Sequence, residues 1–259
     1  MDIVQKIQQL NRLFYQQQGA SFARTRAAPW QGWQRCLQVL TDAGCFAHER
    51  PYSVLDFACG NRRFEAYFQE ALPDTTIDYY GIDSSLEMMA GKQGQNLDVL
   101  ELLRQNRCVN DAIDAPVCDL TVSFGFMHHI FGQSMRAQLL KTMLDHTADG
   151  GHLIVSFWQF LKSPDLAQQA ESVHRQALNV LATDWNSTPA DLSAALQQGD
   201  YFLGWQNKEE VYRYCHSFSA AEVDQLIEQL AKQTKLIARF DADGRTKNLN
   251  HYIILEVNH

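Results

Sequence analysis

Two acids stand at the ends of apolar stretches: Asp56 in Val54-Leu55-Asp56-Phe57, and Asp83 in Tyr80-Gly81-Ile82-Asp83. The first stretch runs straight into Ala58-Cys59-Gly60-Asn61-Arg62, where Gly60 lets backbone come close to a ligand. The second is followed by Ser84-Ser85-Leu86-Glu87, a capping-box pattern that opens a helix. An acid placed like Asp83 accepts hydrogen bonds from the two hydroxyls of a ribose. The pair therefore points to a nucleoside site. A pyrophosphate clamp is the competing chemistry, and it needs the Gly-x-Gly-x-x-Gly turn that leaves bare backbone at a helix N-terminus. With Gly60 alone in its turn, the chain reads poorly as a dinucleotide-binding oxidoreductase.

Such acids need strands beneath them. Short runs rich in Val, Ile, Tyr and Phe alternate with helical stretches, the pattern of a parallel sheet covered on both faces. The strands are SVLDFACG (53–60), TIDYYGID (76–83), the weaker LDVLEL (97–102), CDLTVSFGF (118–126) and GHLIVSFWQF (151–160). KLIARFDADG (235–244) and NHYIILEV (250–257) form a terminal hairpin around a glycine-containing turn. The expected fold is α/β: a Rossmann-like, doubly wound, seven-stranded sheet with a reversed last strand. The whole chain, 1–259, reads as one domain. Residues 1–50 make an N-terminal helical cap, 51–160 the ligand-binding core, 161–232 a helical insertion lying over the top of the sheet, and 233–259 the hairpin. Ligands of open α/β sheets lie at the carboxyl ends of the strands, beneath that insertion.

The 259 residues carry 22 Lys and Arg against 30 Asp and Glu, a net charge of −8, with 46% hydrophobic residues. This balance argues against binding nucleic acid by bulk charge, and DNA is not an expected partner. A local basic edge from Arg12, Arg24, Arg26 and Arg35 remains open. No run reaches the roughly 18–20 apolar residues of a membrane helix, and the N-terminus lacks a signal-peptide layout, so a cytoplasmic protein is expected. The six cysteines form no CxxC pair and read as reduced thiols. No metal centre is expected, since the histidines show no ligand spacing. Side chains of the adjacent His128 and His129 are expected to diverge.

Strand, acid, small-residue turn, helix, strand, acid, and Asp119 at the start of a fourth strand together resemble the class I S-adenosylmethionine-dependent methyltransferases over residues 50–160. That family's first turn usually reads acid-x-Gly-x-Gly-x-Gly; here Ala58 and Arg62 stand at two of the glycine positions. The resemblance implies S-adenosyl-L-methionine as cofactor over Asp56, Ala58, Gly60 and Asp83, with Leu102 or Met127 near its adenine or methyl end. Asp56 would face the cofactor's ammonium group. Met88 and Met89 could brush the adenine, and Arg62 could obstruct the pocket or swing out.

The flanks carry a narrower resemblance. SFARTRAAPWQGW (21–33), His128 and His129, Trp158 and VYRYCHSF (211–218) resemble the eukaryotic wobble-uridine carboxymethyl tRNA methyltransferases, on Phe22, Arg24, Arg26, Pro29, Trp30, Arg213, Tyr214, His216 and Phe218 as well. The resemblance implies tRNA modification, a carboxylate as methyl acceptor, and Arg24, His129, Arg213 and His216 meeting in one cleft around it. It also implies a small activator subunit as a possible partner. Methylating a carboxylate needs no general base, only alignment and exclusion of water. A small metabolite bearing a carboxylate, amine or hydroxyl is the alternative substrate, and a non-catalytic binding module is a third reading. Trp30 and Trp33, one helical turn apart, could instead dock the N-terminal helix.

Overall fold

Period-two alternation in the strands sets up two apolar faces. In the computed structural model, Leu55 and Phe57, Leu153 and Val155, and Ile253 and Leu255 pack into one core cluster. Val54, Ile154 and Ile254, the intervening residues, pack into another. A sheet buried on both faces reads as continuous apolar runs, which is why these strands are so apolar. The structure describes residues 2–25, 28–47, 50–89, 93–105, 107–206 and 208–259. Arg26, counted in the expected basic edge, lies outside the described residues.

Two helices open the chain, α1 (Ile3–Arg24) and α2 (Gln31–Asp42). The alternating core follows: β1 (Tyr52–Phe57), α3 (Arg63–Ala71), β2 (Ile77–Asp83), α4 (Leu86–Met89), β3 (Gln95–Asn96), α5 (Val99–Arg104), β4 (Cys118–Ser123), α6 (Gln133–Asp145) and β5 (Thr147–Trp158). The insertion holds α7 (Pro164–Asp184), α8 (Pro189–Ala194), β6 (Asp200–Gly204) and β7 (Tyr212–His216). Helix α9 (Ala220–Glu228) leads into β8 (Thr234–Ala242) and β9 (Asn250–Val257).

The main sheet has the order β3-β2-β1-β4-β5-β9-β8. Strands β1 to β5 pair in parallel, while β9 runs antiparallel to both β5 and β8. The chain order reverses between β1 and β4, and a crevice opens there at the carboxyl ends. This is the expected seven-stranded fold with one strand reversed.

Two expectations need correction. LDVLEL (97–102) is not a strand: Asp98 Oδ1 accepts a hydrogen bond from Glu101 N at 3.0 Å and caps α5. A capping acid followed by apolar residues at helical spacing outweighs the β-like composition. The third strand shrinks to the two residues before it. The insertion is not purely helical either, since β6 and β7 pair as a separate antiparallel ribbon. Its Phe202 and Tyr214 share a small core with Ile7 of α1 and with Ala177 and Leu181 of α7. Thus the N-terminal helix and the insertion pack together over the sheet. Among the described residues no helix is long and apolar enough to cross a membrane.

Candidate active site

The cleft at the switch point is lined by Asp56, Ala58 and Gly60 from β1 and its turn, by Asp83 and Ser85 after β2, and by Met88. Leu97 to Leu100 add a further wall, and α1 contributes Asn11, Arg12 and Tyr15. Asp83 is half-buried and organised for binding: its Oδ2 accepts from Gly60 N and its Oδ1 from Ser85 N, both at 2.8 Å. Burial pushes its pKa up, with these backbone bonds working against the rise. The two donors fix the carboxylate while leaving each oxygen a further lone pair for a hydroxyl.

Asp56 is buried, at 3% exposure, and its carboxyl accepts from the Tyr79 hydroxyl. Burial raises its pKa to about 7; the Tyr79 bond lowers it and nearby Asp83 raises it again. Arg62, itself paired with Glu65, offsets this only in part, and a cation in the cleft would favour the ionised form further. The ammonium group of S-adenosylmethionine would fit that need, and its sulfonium would supply an electrophilic methyl.

Arg62 resolves the question of obstruction. Its backbone is left-handed, φ 54°, and its guanidinium turns to Glu65, with Nε and Nη2 donating to the two carboxylate oxygens at 2.6 Å each. It also donates to the Gln93 carbonyl and lies 4.9 Å from the centre of the Tyr79 ring. Arg62 is not among the residues that line the cleft. Ala58 also takes a positive φ, 61°.

Leu102 and Met127 do not line the cleft. Both belong to the core cluster on one sheet face, because α5 turns Leu102 inward and the short 3-10 turn Met127–His129 tucks Met127 under the sheet. Leu97, Val99 and Leu100 stand at the wall instead. Met88 lines the cleft and Met89 is in the core. Asp119 sits at the other end of the sheet, bonded to Arg50 at 2.5 and 2.7 Å and to Ser53.

Of the four residues expected around the acceptor, only His129 lines the cleft. Arg24 is exposed at the end of α1, two positions and about 200° around the helix from buried Phe22. His216 is fully buried between Asp200 (2.6 Å) and Glu222 (3.0 Å), where it ties the ribbon to α9. Arg136 and Tyr214 complete that network. Arg213 lies under α1 against Phe14, Phe22 and Trp205, its guanidinium 5.0–5.5 Å from their ring centres, and lines a different cavity. The strand alternation explains the split: on β7, positions 213 and 214 point to opposite faces.

His129 is held from three sides. Its Nδ1 lies 3.1 Å from the Tyr214 carbonyl, which can only accept, and 3.3 Å from Asn11 Nδ2, which can only donate; the shorter contact favours the ring proton on Nδ1. Nε2 then accepts from the Tyr15 hydroxyl at 2.7 Å. Asn11 locks the partner strand, accepting from Tyr214 N at 2.7 Å and donating to Tyr214 O at 3.2 Å. Sequence reasoning missed Asn11 and Tyr15. Their signal was present: Gln8, Asn11 and Tyr15 are polar at helical spacing beside the buried Ile7, Phe14 and Phe22.

The adjacent histidines do not diverge. In the 3-10 turn their ring centres come to 4.1 Å, and with Cys215 they present ligand atoms within 4.8 Å of one another. That donor set could hold a soft cation. Trp30 stacks on Trp33 at 5.3 Å and closes the cleft against Gly125. A Cβ on Gly125 would come within 2.8 Å of the Trp30 ring, and its φ of +71° is itself a glycine conformation.

Residues 55–153 match the family described as "Methyltransferase domain". Among solved structures, an S-adenosylmethionine-dependent methyltransferase from Methanosarcina mazei is 12% identical, with a TM-score of 0.56 over 84% of this chain and 97% of that one. The N-methyltransferase NodS from Bradyrhizobium japonicum, in complex with S-adenosyl-L-homocysteine, is 11% identical, with a TM-score of 0.53 over 98% and 99%. Magnesium protoporphyrin IX methyltransferase from Synechocystis, with S-adenosyl-L-homocysteine bound, is 12% identical, with a TM-score of 0.54 over 96% and 98%. No curated protein sequence matches the chain. The match over residues 55–153 and the likeness to these structures give the chain the fold of the class I S-adenosylmethionine-dependent methyltransferases.

Proposed function

We propose that the protein transfers the cofactor's methyl group to a small acceptor carrying a hydroxyl or amine, bound in the cleft beside Tyr15 and His129. All 259 residues serve one methyltransferase unit, with 1–50 and 161–232 covering the core. The carrying observation is the Tyr15–His129 pair on the cleft wall, with Nδ1 fixed by a backbone carbonyl. An acceptor whose lone pair attacks a methyl carbon must shed a proton unless it is already an anion. Tyr15 can take that proton while passing its own to His129 Nε2. In-line attack then needs only the nucleophile held at near-attack distance and water kept out, a task suited to Trp30 and Phe126 on the same wall. The proposed cofactor contacts are Asp56, Ala58, Gly60 and Asp83, with Leu97 and Leu100 flanking the base.

One observation favours the tRNA carboxymethyl-uridine reading. Residues that carry the resemblance, though distant in sequence, gather beside the cleft: Trp158 packs 5.0 Å from His128, and Arg213 stands under Phe22. Against it, the arginines do not converge on one rim. Arg12 is paired with Asp98 at 2.6 Å, Arg24 is on the surface and Arg213 is buried.

The decisive test compares acceptors. Mass spectrometry of tRNA nucleosides from a deletion strain should be unchanged, and a methyl ester lost from a wobble uridine would overturn the small-acceptor reading. With an accepted substrate, Tyr15→Phe and His129→Asn should lower kcat by about 10²–10⁴-fold, the range of general-base catalysis. Retention of full kcat in both variants would remove the proton-transfer role.

A further inference from the structure

A second cavity of about 640 Å³ lies between α7 and the β6–β7 ribbon and shares no lining residue with the methyl-transfer cleft. Its walls are largely apolar, with Trp158, Phe160, Leu166, Val173 and Trp205 among them. Into this apolar setting β7 places Arg213, 6% exposed. The guanidinium is stacked among rings, and no carboxylate among the described residues lies within 4 Å of it. Its Nε and Nη1 are sealed from solvent and have no hydrogen-bond partner among the described residues. The indole Nε1 of Trp205, on the same wall, is likewise buried and unpartnered.

Buried arginine is ordinarily paired, because a desolvated charge without a partner is costly. Here the unmet groups at one wall are all donors, two on Arg213 and one on Trp205. A neutral or cationic ligand would leave them unmet. A planar anion with two acceptor oxygens matches the guanidinium fork, and the aromatic walls match an apolar body. Lys208 adds a cation at the rim; Glu209 and Glu210, also at the rim, are exposed to solvent.

We propose that this second cavity is a binding site for an amphipathic organic carboxylate, its oxygens on Arg213 and the Trp205 indole and its apolar body against Trp158 and Phe160. Access to Nε and Nη1 requires the Trp205 ring to swing aside. The site goes beyond the methyl-transfer reading and does not depend on which acceptor that cleft takes.

The test uses the full chain and two probes of equal shape, indole-3-acetate and its neutral twin indole-3-acetamide. Calorimetry and tryptophan fluorescence should both register the acid, with affinity at least tenfold above the amide's. Arg213→Met should erase that preference while leaving S-adenosyl-L-homocysteine binding within twofold. The acid-to-amide ratio needs no variant, so the proposal stays testable if Arg213→Met folds poorly. Equal affinity for acid and amide would overturn it. So would displacement of the acid by S-adenosyl-L-homocysteine, which would put the anion in the methyl-transfer cleft. Failure of cofactor binding with the acid preference intact would count against the methyltransferase assignment and leave this site standing.

Discussion

Cofactor binding should release a proton from Asp56. In the free protein burial holds this carboxyl at about pKa 7, so it is half protonated at neutral pH. A cofactor ammonium beside it favours the ionised form and draws the value back toward the ordinary carboxylate range. Each pH unit below 7 then costs about 1.4 kcal/mol of binding, a factor of ten in affinity, because the proton must first leave. Above pH 8 the carboxylate is already charged and affinity should level off. Titration of S-adenosyl-L-homocysteine at pH 7 in two buffers of different ionisation heat should report release of roughly half a proton. Asp56→Asn should remove both the pH dependence and the buffer dependence. The same shift has a sign for stability. The folded protein keeps a proton that the unfolded chain has lost between the ordinary value and 7, so stability falls as pH rises through that window. Asp56→Asn should therefore raise the unfolding midpoint of the cofactor-free protein at pH 8. Affinity flat between pH 5.5 and 8, with no buffer-dependent heat, would refute the placement of the ammonium at Asp56.

Arg62→Gly should leave cofactor affinity within about twofold in calorimetry, because the native guanidinium points to Glu65 and Gln93, away from the cleft. Gly125→Ala should lower the stability measured by urea unfolding by about 1–2 kcal/mol, the cost of a left-handed alanine. It should also weaken cofactor binding, since the new methyl group collides with Trp30. Asp200→Asn should cost about 3–5 kcal/mol in the same assay, because it strips the buried His216 and Arg136 of their carboxylate.

The sheet was legible because burial on both faces writes itself as apolar runs, and the acids at 56 and 83 were legible because they end those runs. The third strand was not, since a two-residue edge strand carries no periodicity and LDVLEL had strand-like composition with a helix cap at its front. Leu102 failed as a site residue for the same reason: once 99–104 is helical, its face is fixed by rotation about that helix. The histidines at 128 and 129 were misjudged because backbone direction alone does not fix where the rings end: neighbours in a 3-10 turn leave it about 120° apart, yet these two side chains bring their ring centres to 4.1 Å.

The substrate end failed differently. Arg213, Tyr214 and His216 lie within four residues of sequence, yet each does something else: one lines the second cavity, one anchors His129 through its carbonyl, one ties Asp200 to Glu222. Alternation on a strand separates what proximity in sequence suggests is a cluster. Tyr15 and Asn11 reach His129 across more than a hundred residues, through a helix that only tertiary packing sets against the ribbon. A motif read as one catalytic constellation is therefore two faces of a single ribbon. Arg213 lies against Phe14 and Phe22 of α1 and lines the second cavity, while the Tyr214 side chain points the other way, to Asp200 and Arg136. Chemistry at one can be altered by substitution without touching the other, which makes the two roles separable by experiment.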